Sequence, residues 1–188
     1  MIDQKIGIYR TDAVVIGGGL LGLEAANGLM LRGMQVTVVH IAPWLMERQL
    51  DEAAGYLLKT ELERRGQTIV TGGDTGEIVG KDGHVTAVRL KDGREFPADI
   101  VVMAVGIRPN TKLAESMRLH VERGIVVTDT LQTVTDARIY AVGECAAHRG
   151  IAYGLVAPLF EQGKVLANHL AEFGICRYTG SLTSTKLK

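Results

Sequence analysis

Three glycines near the beginning of the chain have the spacing of a phosphate-binding turn. The stretch "GGGLLG" places Gly17, Gly19 and Gly22 in the pattern G-x-G-x-x-G. The first glycine permits a tight turn, the second lets the backbone approach a pyrophosphate, and the third lets a helix pack closely on the preceding strand. The helix N-terminus offers free N–H groups and a partial positive charge to the anion. Gly17, Gly19 and Gly22 are predicted to bind the pyrophosphate. The residues of the turn predicted to bind the cofactor as a whole are Gly17, Gly18, Gly19, Leu20, Leu21 and Gly22.

The segments on either side of the turn supply the context that this motif requires. The β-branched run "DAVVI" (12–16) predicts a parallel strand buried on both faces, and the apolar spacing over 20–31 predicts a helix that Gly33 ends. A second strand is predicted over 36–40. The result is a βαβ unit of roughly 30 residues, which favours dinucleotide binding. Two alternatives stay open: a turn used only for packing, and a methyltransferase fold, which has a similar turn.

The choice between NADH and NADPH depends on the residue at the end of the second strand. An acid there binds the adenine-ribose 2′-OH of NAD, whereas an arginine accommodates the 2′-phosphate of NADP. His40 occupies this position and is neither, while Arg48 is close enough in sequence to reach a 2′-phosphate. The sequence therefore leaves the preference open, and it also leaves open that His40 contacts no ligand.

The rest of the first region alternates between helical and strand patterns. Apolar residues recur at helical spacing over 50–65, with Glu61 and Arg65 able to pair, and "TIV" (68–70) predicts a third strand. Two copies of "KDG" separate short alternating segments and predict an antiparallel meander. "DIVVMAVG" (99–106) predicts a further buried strand. The apolar positions assigned to the helix core are Leu50, Ala53, Ala54, Leu57, Leu58 and Leu62.

The second region, residues 108–188, has a weaker pattern. It predicts a short helix over 111–117, strands at "GIVV" and "IYAV", and a helix over 158–173 with Leu159, Val165, Leu166 and Leu170 on its apolar side. The tail "RYTGSLTSTKLK" is polar and is expected to be extended.

Composition excludes several classes of function. The 188 residues are 46% hydrophobic and 22% charged, and 21 basic residues balance 21 acidic ones. A neutral chain without a basic block predicts no nucleic-acid or anionic-membrane partner. Without a signal peptide or an apolar run that spans a bilayer, a cytoplasmic location is expected.

The residues that often carry catalysis or bind metals are few and scattered. Cys145 and Cys176 are expected to be free, buried thiols, and the five histidines have no ligand spacing, so no metal site is predicted. No nucleophile or general base has a matched partner, so no catalytic residue is predicted either.

Two stretches and the meander carry a resemblance to a known family. "VVIGGGLLGLEAA", the meander and "VVMAVGIRPNT" resemble the NAD(P)H domain of the FAD-dependent pyridine nucleotide-disulfide oxidoreductases. The resemblance implies an α/β fold with a Rossmann-like NAD(P)-binding domain, an antiparallel β-meander and a partial FAD-binding domain. It divides the chain into an N-terminal strand of the FAD domain (1–10), an NAD(P)H domain (11–107) and the C-terminal part of the FAD domain (108–188).

The same resemblance assigns cofactor-binding residues. Glu24 and Gly106 are expected near the nicotinamide end, although Glu24 also suits a solvated helix position. Gly143 and Glu144 are expected at the ribityl–pyrophosphate region of FAD, where Glu144 replaces the more usual aspartate. The N-terminus of the helix near 158–172 is expected to point at the flavin ring.

A narrower resemblance is to the large subunits of NAD(P)H-dependent assimilatory nitrite reductases. "LMERQLD", "AVGECAAHRGIAYGLVAPLFEQ" and "TSTKLK" carry it. It implies electron transfer from NAD(P)H to FAD, then through an iron–sulfur cluster and sirohaem to nitrite. The chain contains neither the FAD-binding βαβ unit nor the cluster cysteines of that family. We therefore expect a middle part of a larger enzyme, with an incomplete FAD site, no activity alone, and uncovered apolar surface that favours self-association.

Two further functions remain open at this point. One is a ferredoxin or rubredoxin reductase-like flavoprotein, whose NAD domain has the same pattern. The other is a dinucleotide-binding module without turnover.

Overall fold

The computed structural model describes residues 11–172 and 174–183, which form parts of two compact units. The first unit extends to Gly106, and the second begins at Ile107. The predicted N-terminal strand at 1–10 and the end of the "TSTKLK" segment lie outside the described residues. Within the described ranges, no helix is long and apolar enough to cross a membrane.

A four-stranded parallel sheet with two helices forms the centre of the first unit. The elements are β1 (Asp12–Ile16), α1 (Leu20–Met30), β2 (Gln35–Val39), α2 (Glu52–Arg64), β3 (Thr68–Val70) and β7 (Ile100–Met103). The strand order is β3-β2-β1-β7, and every neighbouring pair is parallel. This arrangement confirms the predicted Rossmann-like βαβ unit.

Strand β1 is buried on both faces, as its continuous apolar run predicts. Successive side chains of a strand point to opposite faces. Ala13 and Val15 accordingly pack with the core that includes the buried helix residue Leu23, whereas Val14 and Ile16 pack on the other face. One sheet therefore separates two apolar cores in the first unit.

Helix α2 begins with a side-chain cap and ends in a cluster of charged residues. The Asp51 carboxylate accepts a hydrogen bond from the Ala54 N–H at 2.8 Å. The predicted Glu61–Arg65 ion pair is confirmed at 2.7 Å, and Arg64 also pairs with Glu61. Hydrogen bonds from Arg64 and then Arg65 lower the pKa of Glu61 to about 2. The core assignments of Ala53 and Leu57 were wrong, because the buried side of α2 runs through Gly55 and Leu62 instead. Both residues are exposed, Leu57 by 69%.

The meander packs on the sheet face opposite α1. It consists of β4 (Thr75–Lys81), β5 (His84–Leu90) and β6 (Glu95–Pro97), all antiparallel, which confirms the prediction. Asp82 (φ 53°) and Gly83 (φ 81°) form the β4–β5 turn with two positive φ angles, as the Asp-Gly pair favours.

Strand β7 is shorter and more exposed than the predicted buried strand over 99–106. Among the described residues it pairs only with β1, which places it at the edge of the described sheet. Val101 and Val102 pack on the two faces, but Ile100 and Met103 are 37% and 63% exposed. An edge strand has a neighbour on one side only, and its apolar sequence does not reveal that position.

The second unit contains a small three-stranded sheet and one long helix. The elements are α3 (Lys112–Ser116), β8 (Ile125–Val127), β9 (Ala146–His148), β10 (Ile151–Ala152) and α4 (Val156–Leu170). The strand order is β10-β9-β8, with β8 and β9 parallel and β9 and β10 antiparallel. The predicted short helix and the "GIVV" strand are confirmed.

Two strand predictions in this unit were wrong. "IYAV" (139–142) is not a strand: only an isolated bridge joins Tyr140 to Gln132. The hairpin of β9 and β10 was missed, although Arg149 (φ 49°) and Gly150 (φ 81°) form its two-residue turn. Its strands contain alanines rather than the β-branched residues that signal a strand, so their pairing depends on tertiary contacts.

Helix α4 and the segment after it also depart from the predictions. The helix begins at Val156, before the predicted start, and Leu170 is 58% exposed. Cys145 is half-buried and Cys176 is exposed, so the prediction of two buried thiols was wrong. The described part of the tail has no helix or strand, yet its Tyr178 is only 2% exposed.

Candidate functional site

The glycine turn connects β1 to α1, and two of its glycines are required by the backbone itself. Gly17 has a φ of 116°, and a Cβ there would lie 2.2 Å from the Ala104 carbonyl oxygen. A Cβ on Gly22 would lie 1.8 Å from the Gly17 carbonyl oxygen. Any side chain at either position would therefore push the helix, the strand end or the turn apart.

Gly19 faces open space instead. A Cβ at this position would meet no atom within 4 Å, and the backbone is extended at φ −85° and ψ −176°. Gly19 is also the N-cap of α1, and no side chain in the described part of the chain caps the helix. The first-turn N–H groups of a helix have no intrahelical acceptor, so those of Leu20 and Leu21 are available to an anion. The turn has the space and the donors that a pyrophosphate needs.

Gly18 attaches the turn to the loop that follows β2. Its N–H donates to His40 Nδ1 at 3.0 Å, and its carbonyl oxygen accepts from the Met46 N–H at 3.0 Å. A Cβ on Gly18 would lie 2.5 Å from Leu45 Cδ2 and 2.8 Å from His40 Cγ. Close packing of this loop on the turn therefore also requires a glycine at position 18.

His40 directly follows β2, and its ring is directed into the protein. The residue is 6% exposed. Because the Gly18 N–H can only donate, His40 Nδ1 is the acceptor and Nε2 carries the proton. Nε2 then donates to Glu47 Oε2 at 3.0 Å. Both ring nitrogens are thus bound by protein groups, and Arg48, the other candidate near this strand end, is exposed.

The two remaining first-unit candidates, Glu24 and Gly106, are not part of the turn itself. Glu24 lies on α1 and is half-buried. Gly106 is exposed and has a φ of 89°, a conformation that favours glycine. Within the first unit, the structure brings together the glycine turn, His40 and Glu47. Glu47 was missed by sequence reasoning, because only the fold of the 41–51 loop returns it to the end of β2.

Gly143 and Glu144 lie in a turn of the second unit. Gly143 has a φ of 93°, and its N–H donates to Gln162 Oε1 at 2.9 Å. Glu144 is exposed. Gln162 is fully buried on α4, and its Nε2 has no acceptor among the described residues. Sequence reasoning missed Gln162, although a polar residue between Leu159 and Leu166 on the apolar side of a helix signals a buried hydrogen bond.

A second cluster in this unit surrounds Asp129 and was also missed. The carboxylate accepts from His148 Nε2 at 2.8 Å and pairs with Arg149 at 2.8 Å. Arg149 first, and then His148, lower the pKa of Asp129 by hydrogen bonding to its charged form. The Asp129 carbonyl oxygen accepts the Tyr178 N–H at 2.8 Å, so this cluster also holds the segment after α4.

Residues 3–164 match the family described as pyridine nucleotide-disulphide oxidoreductase. The chain belongs to this family. Membership confirms the resemblance that the glycine turn and the meander predict, and it replaces the methyltransferase alternative.

Named relatives refine the comparison. The chain is 60% identical over 176 residues to "Nitrite reductase [NAD(P)H]" of Bacillus subtilis (strain 168), covering 94% of the chain and 22% of that protein. It is 36% identical over 152 residues to "Rubredoxin-NAD(+) reductase" of Pseudomonas putida, covering 81% of the chain and 39% of that protein. The chain therefore spans well under half the length of either relative.

A solved structure agrees with the fold. An FAD-dependent pyridine nucleotide-disulphide oxidoreductase from Desulfovibrio vulgaris superposes with a TM-score of 0.85 at 30% identity, covering 95% of this chain and 46% of that one. This likeness agrees with the predicted Rossmann-like domain with meander and a partial FAD domain.

Proposed function

We propose that this chain is the NAD(P)H-binding and FAD-linked electron-entry part of a nitrite reductase large subunit. The observation that carries the proposal is the glycine turn, where Gly17 and Gly22 tolerate no side chain and Gly19 faces open space at an uncapped helix N-terminus. Family membership supports the same use of this turn. In this proposal, residues 1–10 and 108–188 belong to the FAD domain and residues 11–107 form the NAD(P)H domain.

The first unit would bind the nucleotide through its backbone. Gly19, Leu20 and Leu21 would donate to the pyrophosphate, while Glu24 and Gly106 would lie toward the nicotinamide. NAD(P)H supplies the hydride, and the residues of the chain position and orient the cofactor. No side chain of the chain is assigned a catalytic role.

The second unit would contribute to FAD binding through Gly143 and Glu144. The Gln162 side chain holds the Gly143 backbone by accepting its N–H. The next residue, Glu144, is exposed, so its carboxylate is accessible to a ligand. The exposed Val156 and Phe160 on α4 support an apolar contact with further protein, including self-association.

The proposed electron acceptor downstream of FAD is based on sequence identity to two relatives. Identity is higher to the nitrite reductase of Bacillus subtilis than to the rubredoxin reductase of Pseudomonas putida. We therefore favour nitrite as the acceptor of the whole enzyme, with an iron–sulfur cluster and sirohaem beyond this chain. A rubredoxin or ferredoxin reductase is the second candidate, because the rubredoxin reductase matches over the same fold.

The Gly19→Val variant tests the nucleotide site. Its extended backbone accepts valine, and the side chain would fill the space that the pyrophosphate needs. We expect NADH affinity, measured by isothermal titration calorimetry, to fall roughly tenfold or more because charge-assisted hydrogen bonds are lost. Gly28→Ala, on the same helix and also facing open space, is the matched control and should bind NADH normally. Equal binding by Gly19→Val and the parent chain would refute the site.

FAD binding has a separate test. The visible absorption spectrum is recorded after incubation with FAD and desalting. A retained flavin spectrum that Glu144→Ala diminishes supports the role of the second unit. If no flavin is retained, the 188-residue chain alone is a dinucleotide-binding module without turnover, which is the alternative that the sequence left open.

A further inference from the structure

The end of β2 has no acidic residue, but the folded loop places one beside it. A carboxylate at this strand end is the group that distinguishes the 2′-OH of NAD from the 2′-phosphate of NADP. His40 follows the strand, and its ring is buried with Nδ1 bound to the Gly18 N–H. Its position in sequence is that of the ribose-binding residue, but its ring supports the glycine turn instead.

The proton on His40 Nε2 determines where the Glu47 carboxylate lies. Nε2 donates to Glu47 Oε2 at 3.0 Å, and the Glu47 side chain remains 35% exposed. Within the described residues, the other carboxylate oxygen, Oε1, has no hydrogen-bond partner. One oxygen is therefore held by the histidine at the end of β2, and the other is free to accept a hydrogen bond from a ligand.

The backbone around Glu47 is also held in place. The adjacent Met46 has a φ of 56°, and its N–H donates to the Gly18 carbonyl oxygen. Leu45 is fully buried, and the Trp44 indole N–H donates to the Leu50 carbonyl oxygen at 3.0 Å. These contacts restrict the loop that carries Glu47 and reduce the entropy lost when a ligand binds it.

We infer that Glu47 is the residue that recognises the adenine-ribose 2′-OH and makes the site prefer NADH over NADPH. This inference rests on the proposed nucleotide site and adds its specificity. The carboxylate accepts the 2′-OH hydrogen bond and repels a 2′-phosphate, whereas His40 acts as a positioning residue. Arg48, which follows in sequence, would have the opposite effect if it faced the ribose.

The test compares dissociation constants for NADH and NADPH, measured by isothermal titration calorimetry at one low ionic strength. The variants of the 188-residue chain are Glu47→Gln, Arg48→Gln and Glu63→Gln. Glu47→Gln keeps an oxygen that accepts the His40 Nε2–H, so the loop should stay folded, which circular dichroism checks. Glu63, exposed on α2, controls for loss of one negative charge from the same unit.

We expect the parent chain to prefer NADH and Glu47→Gln to lose that preference roughly tenfold, through loss of a hydrogen bond to a charged group. Glu63→Gln should keep the preference. An unchanged preference in Glu47→Gln would overturn the inference while leaving the nucleotide site in place. NADPH preference that disappears in Arg48→Gln would also overturn it, in favour of the arginine. If the parent chain binds neither nucleotide, the proposed function itself fails.

Discussion

The two units hold their candidate binding residues in different ways. In the first unit, the glycine turn is one continuous stretch whose shape follows from close contacts between Gly17, Gly22 and Ala104. In the second unit, Gly143 is held by the side chain of Gln162, which is 19 residues away on α4. The first arrangement depends on the absence of side chains, and the second depends on the presence of one.

This difference determines which kind of substitution should disrupt each site. Added volume should disrupt the first site, because its backbone is closely packed and has no room to relax. Removal of a single polar group should disrupt the second, because it leaves a backbone N–H without an acceptor. The single tryptophan, Trp44, lies in the first unit and allows the two units to be monitored separately.

The largest effect is expected from added volume in the glycine turn. Gly22→Val would place Cβ against the Gly17 carbonyl oxygen, so the free energy of unfolding of the first unit should fall by about 3 kcal/mol. Urea denaturation followed by Trp44 fluorescence measures it. Gly28→Ala is the control and should raise stability by about 0.5–1 kcal/mol, since it replaces an exposed helical glycine. A Gly22→Val midpoint equal to that of the parent chain would contradict the close packing.

A smaller effect is expected from loss of the hydrogen bond in the second unit. Gln162→Leu conserves much of the volume but leaves the Gly143 N–H without its acceptor, so this unit should lose about 1–3 kcal/mol. Hydrogen exchange of the Gly143 amide should accelerate, while the Trp44 transition stays where it is. Lys164→Ala, at an exposed position of the same helix, should change neither. Unaltered exchange at Gly143 would show that Gln162 does not hold the turn.

The smallest effect concerns pH and the Asp129 cluster. Hydrogen bonds from Arg149 and His148 lower the pKa of Asp129 below its unfolded value of about 3.9. Its stabilising contribution is therefore complete above that pH and is lost as the pH falls through the lowered folded-state pKa. Because the carboxylate is 41% exposed, we expect less than about 1 kcal/mol.

The Asp129→Asn variant tests this contribution. The NMR signals of the buried Tyr153 and Tyr178 rings monitor acid unfolding of the second unit. The variant should lose stability near neutral pH and show a weaker acid dependence between roughly pH 5 and pH 2. If the stability of the second unit falls with pH equally in the variant and the parent chain, the Asp129 cluster does not stabilise this unit. The Trp44 signal should have the same profile in both.

Sequence reasoning succeeded where structure follows from neighbouring residues. Strand β1, helix α1, the meander and the Glu61–Arg65 pair were all predicted, because β-branched runs, helical periodicity and Asp-Gly turns act within a few residues. It failed at "IYAV", at the β9–β10 hairpin and at the ends of β7. In those places, exposure or pairing depends on which distant segment lies alongside.

The candidate site likewise has a part that follows from neighbouring residues and a part that depends on distant ones. The sequence alone determined the glycine turn and its helix, because glycine spacing and backbone sterics are local properties. Only the tertiary structure decided that the His40 ring binds Gly18, that Glu47 lies at the end of β2, and that Gln162 holds Gly143. Each of these contacts joins residues that are separated along the chain. Such residues meet only when folding places a loop or a buried helix face against the site.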